Sequence, residues 1–157
     1  MTAMPQHNPA DLIPHRGNAV LIDEISYIDD DKIETRLVVR PGTVFSDANG
    51  DLPAWVGPEV MAQSVAALSG RRSLRTRGHL APIGLLLGIR SYEVTAGEFR
   101  CGETLQVQVV KSSEDEDGMA VFNGRICHAG EVVASATLTV FQPPDDSFIE
   151  AECARDD

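Results

Sequence analysis

The chain has 157 residues, 43% of them hydrophobic, and 13 basic against 24 acidic side chains give a formal net charge of −11. That length fits a single domain with a useful core, and the acidic surplus repels a phosphate backbone, which excludes nucleic acid as an expected partner. No apolar run approaches the roughly 20 residues of a bilayer span, and the three cysteines, Cys101, Cys127 and Cys153, have no C-x-x-C spacing, so neither a zinc site nor a disulfide framework is expected.

Residues 1–11 are polar, lack an apolar signal core and read as a loose arm, and the default expectation is a cytoplasmic protein. Residues 19–28 and 32–40 are extended runs separated by Asp29-Asp30-Asp31. The second alternates Ile33, Thr35, Leu37 and Val39 with Lys32, Glu34, Arg36 and Val38, the pattern of a half-buried strand. Pro41-Gly42 ends it, and residues 43–54 form a loop by composition.

The period then changes. Gly57-Pro58-Glu59 precedes Val60, Met61, Ala62, Val65, Ala66, Ala67 and Leu68, which predicts a helix with Gly57 at its N-cap, Pro58 first and Glu59 in the first turn. Only Gln63 and Ser64 are clearly polar in that part, so the helix is buried on nearly all sides. Its end carries Arg71, Arg72, Arg75 and Arg77 and emerges into solvent. Strands follow at residues 83–94, 103–112, 119–128 and 131–141, with turns at Gly118 and at Ala129-Gly130, and residues 143–157 read as a disordered acidic tail.

Two strands, one buried helix and four strands specify an α+β domain over residues 12–142, an antiparallel sheet wrapped around one long central helix. So apolar a helix needs more cover than one small sheet gives. Dimerisation with sheets joined edge to edge is the expected remedy.

That order resembles the hotdog fold, and three motifs sharpen the likeness. Ile13-Pro14-His15-Arg16 followed by Val20-Leu21-Ile22-Asp23 resembles the PHR…LLVD opening of the 3-hydroxyacyl-carrier-protein dehydratases. Glu59-Val60-Met61-Ala62-Gln63 resembles their E-x-M-A-Q helix start, and Phe99-Arg100-Cys101-Gly102-Glu103-Thr104-Leu105 is similar to their P-G-D-x-L turn, with Cys101 where proline is usual. One feature departs: their G-H-F-P loop histidine has no counterpart in residues 43–53. The pattern looks closest to the divergent dehydratase-like subunit of aryl-polyene biosynthesis, which implies a homodimer or pairing with a second hotdog subunit.

The resemblance implies dehydration of a 3-hydroxyacyl thioester on an acyl carrier protein, with no cofactor and no metal. Such chemistry needs a base for the α-proton, an acid for the 3-hydroxyl and donors for the thioester oxygen. Glu59 matches the family's carboxylate. The helix N-terminus favours its anion and the apolar neighbours Trp55, Val56 and Met61 favour the neutral acid, so in a dry site burial wins and Glu59 is a proton donor. The plainer alternative is a glutamate that only complements the helix dipole.

His15 has two readings, a structural member of its motif or a substitute for the missing loop histidine, and a partner subunit is a further source of one. Gly57 and Gln63 beside Glu59, and Gly88 where an acyl chain passes close to the backbone, are candidate substrate contacts. Arg71 and Arg75 suit either an acidic carrier with its phosphopantetheine phosphate or a solvated helix end. His128 reads as an edge residue and His79 as solvent-facing. Two other functions share the fold: a thioesterase whose carboxylate activates water, and a non-catalytic acyl-binding partner.

Overall fold

Alternation of apolar and polar side chains dictates the sheet, and a computed structural model shows how it is folded. It describes residues 8–80 and 85–142, with Leu85 given by its backbone, so most of the expected arm and the acidic tail lie outside the described residues. The strands are β1 (Glu24–Ile28), β2 (Lys32–Val38), β3 (Leu52–Pro53), β4 (Leu85–Val94), β5 (Glu98–Phe99), β6 (Thr104–Glu114), β7 (Met119–His128) and β8 (Glu131–Phe141), and one helix, α1 (Gly57–Arg77), lies between β3 and β4. Six strands make one antiparallel sheet in the order β1-β2-β6-β7-β8-β4, while β3 pairs with β5 alone.

The inward residues of each strand share one face. Ile33 and Leu37 of β2, Leu105, Val107 and Val109 of β6, Phe122 and Ile126 of β7, and Leu138 of β8 are all buried and form one core with Val60, Met61, Val65 and Leu68 of α1. Each such side chain fully buried stabilises the fold by about 1.5–3 kcal/mol. Thr35 and Ser64 are the polar pair in this layer, and their hydroxyls satisfy each other at 2.8 Å, with Ser64 also reaching the Val60 carbonyl. The helix ends at Gly78, whose φ of 78° permits the left-handed cap that returns its N–H to the Leu74 carbonyl. None of the helices among the described residues is long and apolar enough to cross a membrane.

Three sequence expectations are corrected. The run 19–28 is not one strand: Gly17–Ala19 forms a 3-10 turn and pairing starts only at Glu24, because the intervening segment bonds to the helix instead of to a strand. The helix cap falls at Val56, with Gly57 as the first helical residue, because a 3-10 turn at Ala54–Val56 runs straight into α1. The helix is also not covered all round, since Glu59, Ala62, Ala66 and Ser69, spaced three or four apart, remain half-buried along one stripe.

Two glycines permit close packing. A methyl at Gly70 would overlap the Leu12 carbonyl oxygen, a backbone atom, whereas one at Gly124 would meet the Met61 sulfur, the movable end of a flexible side chain. Gly70→Ala is therefore expected to cost about 1–3 kcal/mol or more, the overpacking range, and Gly124→Ala less. Urea denaturation of both variants checks this order.

Candidate active site

The first turns of α1 project Glu59 and Gln63 from the same side of the helix, four residues apart. Gln63 is fully buried and its amide has three partners. Its oxygen accepts the Leu21 N–H at 2.9 Å, and its nitrogen donates to the Ala19 carbonyl at 2.8 Å and to Glu59 Oε1 at 3.1 Å. The segment carrying the first motif is thus laid against the helix, and His15 Nε2 comes to 3.0 Å from the same Glu59 oxygen.

The other imidazole nitrogen, Nδ1, is buried with no hydrogen-bond partner. The hydrogen-bond network therefore assigns the neutral tautomer with its proton on Nε2. The Nε2–H donates a hydrogen bond to Glu59 Oε1, and no buried N–H is left without an acceptor. Glu59 Oε2 has no hydrogen-bond partner among the described residues. The side chains of His15 and Glu59 are 27% and 30% exposed, so the dry setting expected for Glu59 is not realised in the single chain.

The pair opens on a cavity of about 300 Å3 whose walls include Leu12, Pro14, Ala62, Val65, Ala66, Leu86 and Val140. Its size and mostly apolar lining suit a small organic group with few polar anchors. A second cavity of about 800 Å3, lined in part by Arg72, Ser73, Thr76 and Glu114, flanks the later turns of the helix. The two share Ser69, Val140 and Gln142.

The remaining sequence candidates fall elsewhere. Gly57 is buried under the Tyr92 ring, where a methyl would overlap the hydroxyl, and that hydroxyl donates to the Ala54 carbonyl. Gly88 sits in β4 with open space beside it and does not line the Glu59 cavity. Arg71 and Arg75 both face Asp30, at 3.6 and 3.1 Å, while Arg72 and Lys111 share Glu114 at 2.7 and 2.9 Å. His79 is exposed, and His128 ends an interior strand, 3.5 Å from Glu103. Gln63 acts as a brace and not as a wall of the cavity.

Two residues escaped the sequence reading. Tyr92 carries no signal beyond an aromatic in a strand; burial pushes its hydroxyl pKa up. Arg16 was visible only as a motif letter. Asp47, Asp51 and Glu98 bring carboxylate oxygens within 4.8 Å of one another, but both aspartates already accept backbone N–H groups of their own turn and of Cys101.

The family profile described as ApeP-like, ApeP dehydratase, matches residues 7–150. A chain of the dehydratase heterocomplex ApeI:P from Xenorhabdus doucetiae is 26% identical and superposes with a TM-score of 0.82, over 92% of this chain and 97% of that one. A hypothetical thioesterase protein with coenzyme A from Streptococcus pneumoniae shares 17% identity and a TM-score of 0.59, over 76% and 86%. The PaaI protein of the E. coli phenylacetic acid degradation operon shares 10% and 0.56, over 75% and 81%. The last two likenesses are of fold alone. The curated proteins contain no match.

Gln63→Leu strands the buried Leu21 N–H, at a cost of about 1–3 kcal/mol, and removes the partner of the half-buried Ala19 carbonyl. The expected result is a lower urea midpoint with little change in the denaturant slope. A second expectation concerns Glu114. Partial burial pushes its carboxyl pKa up, but the hydrogen bonds from Lys111 and Arg72 outweigh that and hold it below its ordinary value. A lowered folded value means a contribution that is complete above the unfolded value and lost as pH falls through the lowered one. Glu114→Gln should therefore reduce the thermal midpoint at neutral pH and not in acid, which calorimetry across pH would show.

Proposed function

The chain belongs to the ApeP-like dehydratase family, and on that premise we propose that it is one subunit of a heteromeric dehydratase acting on 3-hydroxyacyl thioesters of an acyl carrier protein. The observation that carries the proposal is the His15–Glu59 pair at the wall of an apolar cavity beside the start of α1. Its chemistry is acid–base. With Oε1 held by His15 and Gln63, Glu59 presents Oε2 as the proton carrier. That oxygen takes the α-proton and returns it to the 3-hydroxyl. The C2–H and C3–O bonds break, the C2=C3 bond forms, and water leaves. The positive end of α1, in whose first turn Glu59 lies, favours the negative charge that develops on the thioester oxygen. His15 belongs to the reacting pair as the donor that keeps the carboxylate aimed.

The partner fits along β4. Among the described residues this strand ends the sheet with an unpaired edge, and its Leu86, Leu87 and Ile89 are 42%, 54% and 41% exposed. The opposite edge, β1, is only five residues long, and the acidic side chains of Asp23, Glu24 and Asp29 lie along it. Short, charged edges resist pairing, whereas long apolar ones invite it. Leu86 also lines the Glu59 cavity, so a second hotdog subunit seated there closes the wall and excludes water. The heterocomplex from Xenorhabdus doucetiae is the precedent for such pairing. For the carrier, Arg71 and Arg75 remain the docking cations. The exposed Arg75–Asp30 pair is worth about 0–1 kcal/mol, which an acidic helix can replace.

The test uses the full chain with and without a second hotdog subunit, supplied with a 3-hydroxyacyl carrier substrate and read by mass spectrometry of the carrier. Enoyl product is expected in the mixture. Glu59→Gln should lower kcat by about 10²–10⁴-fold with an unchanged circular dichroism spectrum. Thiol release without enoyl product would reject dehydration in favour of thioester hydrolysis. Leu87→Lys should abolish the mixed complex in light scattering after size exclusion; an intact complex would move the interface elsewhere.

A further inference from the structure

We infer that Arg16 is a positioning residue for the reacting pair, clasping the backbone turn that carries His15; this rests on the acid–base reading of His15 and Glu59. One guanidinium nitrogen of Arg16, Nη1, lies 3.2 Å from the Ala10 carbonyl, 2.7 Å from that of Ile13 and 2.8 Å from that of His15. Among the described residues no carboxylate pairs with it. A surface arginine would ordinarily face solvent, an acid or a ligand. Here its charge is spent on three carbonyl dipoles of the preceding turn, in hydrogen bonds that its charge strengthens.

The need for such a clasp follows from how the segment is held. Upstream, Asn8 accepts the Ala10 N–H at 3.1 Å, and the buried Leu12 and Ile13 rest on the helix, with the Leu12 carbonyl against Gly70. Downstream, Gln63 pins Ala19 and Leu21. Between these anchors Pro14, Arg16, Gly17 and Asn18 are exposed, and the chain reverses through Gly17 at φ 60°.

His15 lies at the start of this exposed span, ahead of the Arg16, Gly17 and Asn18 carbonyls that accept the N–H groups of Ala19, Val20 and Val44. Its ring makes a single polar contact, to Glu59, because Nδ1 has no partner. The ring therefore has no second hydrogen bond to fix its placement. Its main chain does have one, since the His15 carbonyl is held by Arg16. Through that bond and those to Ala10 and Ile13, the arginine ties the exposed span back to the buried anchor. A lysine also carries a charge and donors on a single nitrogen, but on a shorter, unbranched stem, and it reproduces the clasp only in part.

The experiment compares wild type, Arg16→Ala and Arg16→Lys in the assembled complex and in the chain alone. A displacement of about 1 Å in a reacting group can cost on the order of 10²-fold in rate. Arg16→Ala is therefore expected to lower kcat by that order with KM little changed, Arg16→Lys to recover part, and added guanidinium to restore the alanine variant. Nitrogen NMR of the His15 ring in the chain alone gives a readout independent of turnover. The wild type should show the proton fixed on Nε2, and Arg16→Ala a mixture of tautomers. Unchanged kcat together with an unchanged ring signature would overturn the inference, as would a loss of activity explained wholly by a lowered thermal midpoint. A fully active Glu59→Gln would overturn the acid–base reading by itself, and the ring signature would still decide whether Arg16 holds His15.

Discussion

The arrangement depends on one buried amide. Gln63 sits in the second turn of a helix packed mostly by apolar contacts, and it reaches three groups: a backbone N–H, a backbone carbonyl and the carboxylate oxygen that His15 also contacts. A polar side chain in such a place is tolerated only if every bond is made. Once made, those bonds join a segment near the start of the chain to the helix forty residues later and set the carboxylate's rotamer at the same time. Packing alone gives no such register, since apolar surfaces slide more readily than hydrogen bonds exchange.

Around that amide the molecule separates two electrostatic regions. The early helix carries a hydrogen-bonded imidazole–carboxylate pair and mostly apolar walls. The late helix carries Arg71 and Arg75, which face Asp30 of the β1–β2 turn, and Arg72, which faces Glu114 at the end of β6. This pairing balances those cations locally on a strongly acidic protein, and it ties the late helix to the β1–β2 turn and to β6.

Much of the architecture was readable from periodicity. The alternation in residues 32–40, the strand-like run 131–141 set off by its turn and the apolar density of residues 60–68 follow from which faces must leave water, and the strands and helix appear there. Pairing of His15 with Glu59 was not readable, because it arises from a tertiary contact between segments whose spacing carries no local signal. The same holds for Gly57, whose apparent role at a cap is a packing requirement under Tyr92, and for Gln63, which looks like a substrate contact until its burial is known. The arginines were read by charge alone, and charge does not show that Asp30, forty-one residues before Arg71, returns to meet them. Turns built on composition fared better than caps, since a 3-10 turn ahead of a helix moves the first residue by one without altering any sequence cue.

The hydroxyl of Tyr92 belongs to the sheet's open border yet holds the turn from which the helix springs. Border and turn are therefore one mechanical unit. Under the pairing proposed along β4, selection acting on who the neighbour is, through residues beside Tyr92, acts also on the angle at which the proposed carboxylate is delivered. Recognition and chemistry in such a protein drift together: a lineage that changes its companion inherits the task of retuning its reaction.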